Sequence, residues 1–346
     1  PTKALLPAAE VAHTTKAAGD FGIRAEFQGI DIEAVLAYKD DIIAKNHKGL
    51  QGLVKVRGID YISGEGRLVS QDTIEVSNDE GGVSVTGKHI ILATGSEPKT
   101  IGIDITGRVL TSTEALQLAD VPQSAIVLGG GVIGVEFASV WASFGSKVTI
   151  VEGLPRLVAN EDEAISKNLE RAFKKRKIGV KVGKMFKSVT QDDDQVHVEL
   201  EDGTVLDADY LLVAVGRGPV TQGFGYEEQG LTLDRGFVIV DERQHTGVGN
   251  IYAIGDITPG LQLAHRSFAH GIFVAEEIAG LHPAPLVESG VPRVTYCEPE
   301  IFSVGITEKQ AAEAHGEDAI ESLDYNLAGN GKTGILHSAG IIKVIR

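Results

Sequence analysis

The feature that most constrains the fold of this chain is a strand, glycine turn, helix and strand in immediate succession near its middle. An apolar run at residues 125–128 leads into a glycine-rich turn, and a helical pattern over residues 132–144 ends at Gly145. A second apolar run, residues 147–151, follows at once. This order predicts a βαβ unit, and a βαβ unit requires a parallel sheet covered by helices.

The glycine turn itself has the spacing of a dinucleotide-binding loop. Its positions are Gly129, Gly130, Gly131, Val132, Ile133 and Gly134. Gly129 permits the tight turn, Gly131 lets the backbone approach a pyrophosphate, and Gly134 allows close packing of helix and strand. Glu152 ends the next strand, about 20 residues after the first glycine, where an acid holds a ribose 2′-hydroxyl and repels the 2′-phosphate of NADP. The pattern therefore predicts an NAD site, with a glycine turn that binds no nucleotide as the alternative.

Three other Val- and Ile-rich runs also end at a glycine. They occupy residues 89–95, 210–216 and 251–256, and the first two follow alternating segments that predict antiparallel strands. The repeated arrangement predicts an α/β fold in which one architecture is used twice. From residue 292 onward the composition changes, and we expect a third, mixed α+β unit there. The last run, residues 341–345, is predicted to be a strand cut off before its partner.

Composition narrows the function classes. The 346 residues carry a formal net charge of −16, which argues against a nucleic-acid partner because phosphates require a basic face. No apolar run is long enough to span a membrane, no signal peptide is evident, and no metal site is predicted. The single cysteine, Cys297, cannot form an internal disulfide, fits a reducing compartment and is interpreted as a structural thiol in a strand. These observations predict a cytoplasmic protein.

Several short motifs occur along the chain in a fixed order. They are Pro1-Thr2-Lys3-Ala4-Leu5-Leu6, Ala93-Thr94-Gly95-Ser96, the glycine turn with Glu136, Val215-Gly216-Arg217, Ile254-Gly255-Asp256 and Leu263-Ala264-His265. In this order they resemble the flavoprotein disulfide reductases, and within them most closely the dihydrolipoamide dehydrogenase branch of actinobacterial type. The resemblance covers essentially the whole chain. It implies FAD and NAD as cofactors and a homodimer as the assembly.

The resemblance implies a fold of two Rossmann-like dinucleotide-binding domains, for FAD and NAD, plus a C-terminal α+β dimerisation domain, incomplete at both termini. The implied division is residues 1–105 (FAD), 106–223 (NAD), 224–288 (return to the FAD and central part) and 289–346 (dimerisation). The family's redox CxxxxC pair, its first FAD-binding glycine motif and its C-terminal His/Glu dyad are not among the 346 residues. We interpret the chain as a piece of a longer protein, with a processed mature protein as the alternative.

Two residues carry the catalytic roles that the resemblance implies. Lys3 is placed near flavin N5, where a cation stabilises the negative charge of the reduced ring, and Glu136 is its ion-pair partner. A solvated helical lysine is the alternative for Lys3. An unpaired carboxylate at position 136 would be costly, because the residues beside it are apolar.

The remaining implied positions surround the cofactors. Thr94 and Gly95 lie in the FAD part, and Gly255 precedes Asp256, whose carboxylate accepts a hydrogen bond from the ribityl chain; a helix N-cap is the alternative for Asp256. Further along, Leu263, Ala264 and His265 bring backbone and a helix N-terminus to the flavin pyrimidine edge. In the NAD part, Gly216 makes room for the cofactor and Arg217 secures an inter-domain loop, with a surface salt bridge as the alternative. His270 stands where the family more often has Glu or Gln, which leaves the role of this position open.

The function that the resemblance implies is oxidation of protein-bound dihydrolipoyl groups, with NAD reduced through a disulfide and FAD. Its implied partner is the lipoyl-bearing acyltransferase of a 2-oxoacid dehydrogenase complex. Mercuric or mycothione reductase, a diaphorase, and an NAD-binding remnant without redox activity remain alternatives.

Overall fold

The computed structural model describes residues 2–79 and 81–346, so Pro1 of the first motif lies outside the described residues. The chain forms two compact units. The first comprises the described part of Pro1–His47 with Pro98–Gly216 and Pro292–Arg346, and the second comprises Lys48–Glu97 and Arg217–Val291. The predicted division into four segments, with boundaries after residues 105, 223 and 288, is not tested by these two compact units and stays a prediction.

The α-helices of the described residues are α1 Thr2–Ala17, α2 Ile32–Val56, α3 Ser112–Ala115, α4 Val132–Phe144, α5 Glu163–Lys175, α6 Ala264–Ile278, α7 Glu308–His315 and α8 Gly331–Ile335. Their strands are β1 Glu65–Leu68, β2 Thr73–Asn78, β3 Gly81–Thr86, β4 Ile90–Leu92, β5 Ser96–Pro98, β6 Val109–Leu110, β7 Ser124–Leu128, β8 Lys147–Glu152, β9 Gly179–Val182, β10 Phe186–Gln191, β11 Val196–Leu200, β12 Val205–Ala208, β13 Tyr210–Val213, β14 Arg217–Pro219, β15 Leu233–Asp234, β16 Phe237–Val238, β17 Ile251–Ala253, β18 Arg293–Thr295, β19 Ile301–Ser303, β20 Ser322–Asn326 and β21 Ile341–Ile345.

The first unit is built on a five-stranded parallel sheet of order β6-β13-β7-β8-β9. Its central strands are apolar on both faces, because one face packs against helices α4 and α5 and the other against strand β11. Val127, Ile150 and Leu212 on the helix side are fully buried. The predicted βαβ unit is confirmed, with α4 spanning the predicted 132–144 and ending at Gly145 in the left-handed conformation. Helix α5 begins directly after Asp162, whose side chain caps its N-terminus by accepting a hydrogen bond from the Ala164 amide at 3.0 Å.

Two smaller sheets complete this unit. Strands β10, β11 and β12 form an antiparallel sheet, and Gly203 lies in the turn between the last two with a φ of 82°. In the C-terminal part, β18 pairs with β19 and β20 pairs with β21. The prediction that residues 341–345 lack a partner is therefore wrong. Their partner, β20, lies upstream in a short segment where only Leu323 and Tyr325 alternate with polar residues.

The second unit combines the antiparallel sheet β1-β2-β3 with a parallel pair, β4 and β17. Strands β4 and β17 are two of the three apolar runs expected to end at glycines. Their residues Leu92 and Ile251 pack with Leu68 and Val238 in one buried cluster. Helix α6 follows β17 after a short 3₁₀ turn at Gly255–Ile257. Within the described residues, no helix is long and apolar enough to cross a membrane.

A histidine on the β11–β12 sheet makes its stability dependent on pH. The His197 Nδ1 lies 2.8 Å from Asp207, and its Nε2 lies 3.0 Å from Asp192. Hydrogen bonds to Asp207 and Asp192 raise the pKa of His197, while His197 and two backbone amides lower the pKa of Asp192 to about 2. A raised histidine pKa stabilises the fold fully below the unfolded value of about 6.5, and the effect is lost as pH rises through the folded value.

We expect His197→Gln to lower the urea midpoint of the full-length protein most at pH 5.5–6 and least at pH 9, since only the charged imidazole binds both carboxylates strongly. Urea unfolding across this range measures the difference. The control is His47→Gln, an exposed histidine on α2. A difference between variant and wild type that stays constant with pH would contradict the assignment.

Candidate functional site

The glycine turn between β7 and α4 has the geometry that a dinucleotide requires. Gly129 has a φ of 110°, and a Cβ there would overlap the Ala214 carbonyl. A Cβ on Gly134 would overlap the carbonyl oxygen of Gly129, so only glycine lets the helix pack this close to the strand. A Cβ on Gly131 would meet no atom within 4 Å, so the surface in front of the helix N-terminus is open. This opening lies where a pyrophosphate would accept hydrogen bonds from backbone amides.

Glu152 is fixed by backbone amides at the end of β8. Its Oε2 accepts a hydrogen bond from the Gly130 amide at 2.6 Å, and its Oε1 accepts one from the Leu154 amide at 2.7 Å. A Cβ on Gly130 would lie 2.5 Å from the Leu157 Cδ2 and 3.1 Å from the Glu152 Cβ, so this position also has no free space for a side chain. Sequence reasoning treated position 130 as variable, and only the contact with Glu152 shows its role.

The remaining two positions of the glycine turn differ in their exposure to solvent. Val132 is exposed at the start of α4, whereas Ile133 packs against the main apolar cluster of this unit. Val132 is thus available to a ligand, while Ile133 contributes to the core. Further along the same unit, Gly216 has a φ of 109° and open space around its Cα.

Glu136 lies one turn into α4 and is 3 % exposed. Its Oε1 accepts a hydrogen bond from the Tyr296 amide at 3.0 Å. Burial raises the pKa of Glu136, and the Tyr296 amide and the positive charge of Lys3 lower it by less. The carboxyl group is therefore held in a partly apolar setting where its charge is sensitive to its neighbours.

The expected ion pair between Lys3 and Glu136 does not form among the described residues. Instead, the Lys3 ammonium lies 4.7 Å from the ring centroid of Tyr296, a cation–π contact. The physical reason is that Tyr296 contacts both groups, with its amide on the carboxylate and its ring under the ammonium. Sequence reasoning missed Tyr296, because no local pattern places a residue of the C-terminal part beside α1 and α4.

Cys297 follows Tyr296 and is buried. It lies between β18 and β19, so the predicted strand setting is wrong. Its Sγ donates to the Pro299 carbonyl at 3.2 Å, and burial, then the Glu136 charge, raise its pKa to about 12. Since the thiolate is the nucleophile, this thiol is structural, as predicted.

In the second unit, Asp256 lies in the 3₁₀ turn after β17. Its Oδ2 accepts a hydrogen bond from the Ser96 hydroxyl at 2.6 Å, and the Ser96 Oγ in turn accepts from Arg217 Nε at 2.8 Å. The Asp256 side chain caps no helix, so the N-cap interpretation is wrong. Arg217 also donates to the Ser96 carbonyl and forms no ion pair among the described residues. Ser96 was predicted only as part of a motif.

Two more predicted groups belong to this unit. The Thr94 hydroxyl donates to the Val220 carbonyl at 2.5 Å, and the Gly95 carbonyl accepts from the Val220 amide at 2.9 Å. Helix α6 begins after Leu263, and its first residues, Ala264 and His265, are exposed with no side-chain cap on the helix N-terminus. The described residues contain no group of three His, Cys, Asp or Glu side chains arranged for a metal ion.

Comparisons with known proteins show to which family this chain belongs. The model of the family "Pyridine nucleotide-disulphide oxidoreductase" matches residues 1–271, and that of its dimerisation domain matches residues 291–346. The chain belongs to the pyridine nucleotide-disulphide oxidoreductase family. It is therefore an oxidoreductase with a dimerisation domain, and the predicted fold class of two dinucleotide-binding domains with a C-terminal α+β domain is confirmed.

Individual members of the family are similar over all or nearly all of the chain. A dihydrolipoyl dehydrogenase of Geobacillus stearothermophilus is 36 % identical, covering 100 % of this chain and 74 % of that protein. One from Bacillus subtilis (strain 168) is 38 % identical over 92 % of this chain and 70 % of that protein. Among solved structures, LpdA from Mycobacterium tuberculosis superposes with a TM-score of 0.91 at 25 % identity, covering all of this chain and 76 % of that one. The flavoprotein disulfide reductase RclA from Escherichia coli gives 0.85 at 29 %, covering all of this chain and 76 % of that one.

FAD and NAD are the cofactors of this family, and the residues of each unit fit them. The open surface at Gly131 and the fixed carboxylate of Glu152 suit NAD in the first unit. The Asp256 carboxylate and the uncapped N-terminus of α6 suit the flavin side in the second. The role of each individual residue stays a prediction.

Two matched glycine substitutions separate packing from ligand binding. Gly131→Ala adds a methyl group to open space at an allowed φ of −76°, so we expect a folded protein with weakened NADH binding. Gly134→Ala forces the helix off the strand, and we expect the melting temperature of the full-length protein to fall by roughly 4 °C or more. Calorimetry and NADH titration measure the two effects. A Gly131→Ala protein with unchanged NADH affinity would show that no pyrophosphate approaches this turn.

Proposed function

We propose that the complete protein oxidises dihydrolipoyl groups to lipoyl groups and reduces NAD, with FAD between the two half-reactions. The observation that carries this proposal is that one helix, α4, begins at the dinucleotide turn and one turn later buries Glu136 beside Tyr296. The same helix thus connects the nucleotide site with the charged groups of Lys3 and Glu136. Relatives named dihydrolipoyl dehydrogenase match the chain over at least 92 % of its length in the two cases above.

The net reaction converts a dithiol and NAD⁺ into a cyclic disulfide, NADH and a proton. Two S–H bonds break and one S–S bond forms, and the electron pair enters the nicotinamide as a hydride. The chemistry that FAD supplies when bound is this two-electron transfer between a dithiol and a nicotinamide. The single cysteine of the chain is buried, so Cys297 takes no part in the thiol chemistry.

The contribution of this chain is electrostatic and positional. The Lys3 ammonium is held by the Tyr296 ring and not by direct contact with a carboxylate, so its field is not cancelled at close range. A cation kept in this way stabilises negative charge that develops on a neighbouring acceptor. Glu136 fixes the Tyr296 backbone and thereby the ring that carries Lys3. Glu152 orients the nucleotide through its ribose and disfavours a 2′-phosphate by charge repulsion.

In the second unit, the proposal places the flavin ribityl chain at Asp256. The Ser96 hydroxyl and Arg217 hold this carboxylate in one orientation through a continuous chain of hydrogen bonds. The first turn of α6, at Leu263, Ala264 and His265, supplies the positive end of a helix dipole to the ring edge. Gly95 and Thr94 hold the neighbouring loop through Val220.

The proposal also names partners and a compartment. We infer a homodimer, and a lipoyl-bearing acyltransferase of a 2-oxoacid dehydrogenase complex as the protein substrate. The net charge of −16 favours a basic surface on that partner. The cytoplasm is the proposed location, supported by a composition with one cysteine and by relatives from bacteria.

We expect the full-length protein to reduce NAD⁺ with dihydrolipoamide, and Lys3→Met to lower kcat about 100-fold with unchanged NADH binding. NADH absorbance measures the rate, and a direct titration measures the binding. Lys45→Met, an exposed lysine on α2 paired with Asp41, serves as the control and should retain full activity. Turnover only with mercuric ion or mycothione disulfide, or only with quinones, would identify one of the rival reductases instead.

The dimer is testable through the β20–β21 sheet. Leu323 pairs with Val344 and Tyr325 with Ile342, and all four side chains are exposed on these strands. We expect Val344→Asp to weaken dimerisation roughly 100-fold or more, because an uncompensated buried charge costs about 3 kcal/mol or more. Sedimentation equilibrium measures it. Val205→Asp on β12, at similar exposure, should leave the dimer intact, and a dimer equally stable in both variants would exclude this face as the interface.

A further inference from the structure

His270 is a buried imidazole in the second turn of α6, with no exposed surface. Its Nδ1 lies 3.3 Å from the backbone nitrogen of Gly255, which has only a hydrogen to offer. The Nδ1 must therefore accept the hydrogen bond, and the proton of the neutral ring is on Nε2. That Nε2 has no hydrogen-bond partner among the described residues, since the nearest carboxylate oxygen, of Glu288, is 3.7 Å away.

The peptide that His270 binds is the start of the turn that carries Asp256. Gly255 has a φ of 71° and packs so closely on α6 that a Cβ would lie 2.8 Å from the Ser267 hydroxyl. Its carbonyl accepts hydrogen bonds from the Thr258 hydroxyl at 2.8 Å and from Arg266 at 3.3 Å. With His270 on the amide side, both polar groups of Gly255 are anchored, and Asp256 is the next residue.

The charged groups around the imidazole come from three elements. Arg266 lies one turn earlier on α6 and is 2 % exposed, with its guanidinium 2.9 Å from Glu288. Glu288, in the short turn at Glu288–Gly290, is half-exposed and is the carboxylate that faces Nε2. The third element is the turn at Gly255–Ile257, where the Asp256 carboxylate is taken by Ser96. Protonation of His270 would thus place a second positive charge beside the buried guanidinium of Arg266. Glu288, the counter-ion of Arg266, would then face both cations.

We propose that His270 is a positioning residue that, as a neutral imidazole, holds Asp256 in the orientation that binds the flavin ribityl chain, so that protonation of His270 weakens FAD binding. This inference rests on the proposed function, which places FAD at Asp256. A protonated Nδ1 would point a hydrogen at the Gly255 amide, and two donors cannot share that contact. The hydrogen bond breaks, and the turn that carries Asp256 loses its anchor.

The direction of the pH dependence follows from the surroundings of the ring. Burial lowers the pKa of His270, Arg266 lowers it further, and Glu288 opposes both. The neutral form is thus the stable one at neutral pH, and the stabilisation it gives is lost as pH falls through the depressed pKa, below about 6.5. We therefore expect FAD release by this route under mildly acid conditions.

His270→Gln in the full-length holoenzyme tests the proposal, because the amide oxygen can still accept from Gly255 but does not titrate. Free-flavin fluorescence measures the FAD dissociation constant from pH 8 to pH 4.5. Below the His270 pKa, we expect the wild-type constant to rise by up to about tenfold per pH unit relative to the variant, since one proton is linked to release. At pH 7.5 the two proteins should bind FAD equally. Parallel curves over the whole range would overturn the proposal.

Two further variants keep the result unambiguous. Glu288→Gln removes the carboxylate that favours the charged ring, so FAD release should move to lower pH. Because the same change removes the counter-ion of the buried Arg266, the melting temperature of this variant is measured alongside. His47→Gln, the exposed histidine on α2, should reproduce the wild-type curve. If Glu288→Gln leaves the curve in place, His270 is not the titrating group.

Asp256→Asn separates this inference from the function on which it rests. We expect it to weaken FAD binding already at pH 7.5, where His270 is neutral. Unchanged binding in Asp256→Asn would contradict the flavin site itself. Weakened binding there, combined with parallel curves for His270→Gln and wild type, would contradict only the role of His270.

Discussion

The close packing of Gly134 on the carbonyl of Gly129 is the contact on which the nucleotide-binding half of the molecule depends. It brings the N-terminus of α4 to the carboxyl ends of β7 and β8, which is where ligands bind in parallel sheets. Only at this distance can the Gly130 amide reach Glu152 and hold the carboxylate in place. The same rigid placement of α4 sets the position of Glu136, one turn further on. The absence of a side chain at Gly134 thus determines where both Glu152 and Glu136 lie.

In the first unit, the charges of Lys3 and Glu136 are not neutralised by direct contact with each other. A direct ion pair between Lys3 and Glu136 would largely cancel the field of both groups at any distance beyond a few ångströms. Instead, the Tyr296 ring contacts the Lys3 ammonium, and the Tyr296 amide donates a hydrogen bond to the Glu136 carboxylate. Asp256 in the second unit follows a similar logic, because neutral Ser96 stands between its carboxylate and the guanidinium of Arg217. In both units a neutral group orients a charge without neutralising it.

The sequence predicted the local elements well and the long-range contacts poorly. The bounds of α4 and β21 follow directly from apolar runs and glycine stops, because these signals lie within or beside the element itself. Tyr296 and the Ser96–Asp256–Arg217 chain were missed as site groups, since each joins segments more than a hundred residues apart in sequence. The partner of β21 was missed for a different reason. Strand β20 alternates polar and apolar residues over only five positions, and both of its apolar side chains are exposed, so it was not recognised as a strand.

An anaerobic titration of the full-length protein with dihydrolipoamide, followed by NAD⁺, tests the central claim most directly. The claim predicts that dithiol changes the flavin absorbance spectrum and that added NAD⁺ reverses the change with formation of one NADH per dithiol oxidised. It also predicts that NADP⁺ at the same concentration does not reverse it, because the Glu152 carboxylate would repel a 2′-phosphate. A flavin spectrum that dithiol leaves unchanged, or one that NADP⁺ restores as well as NAD⁺ does, would contradict the account.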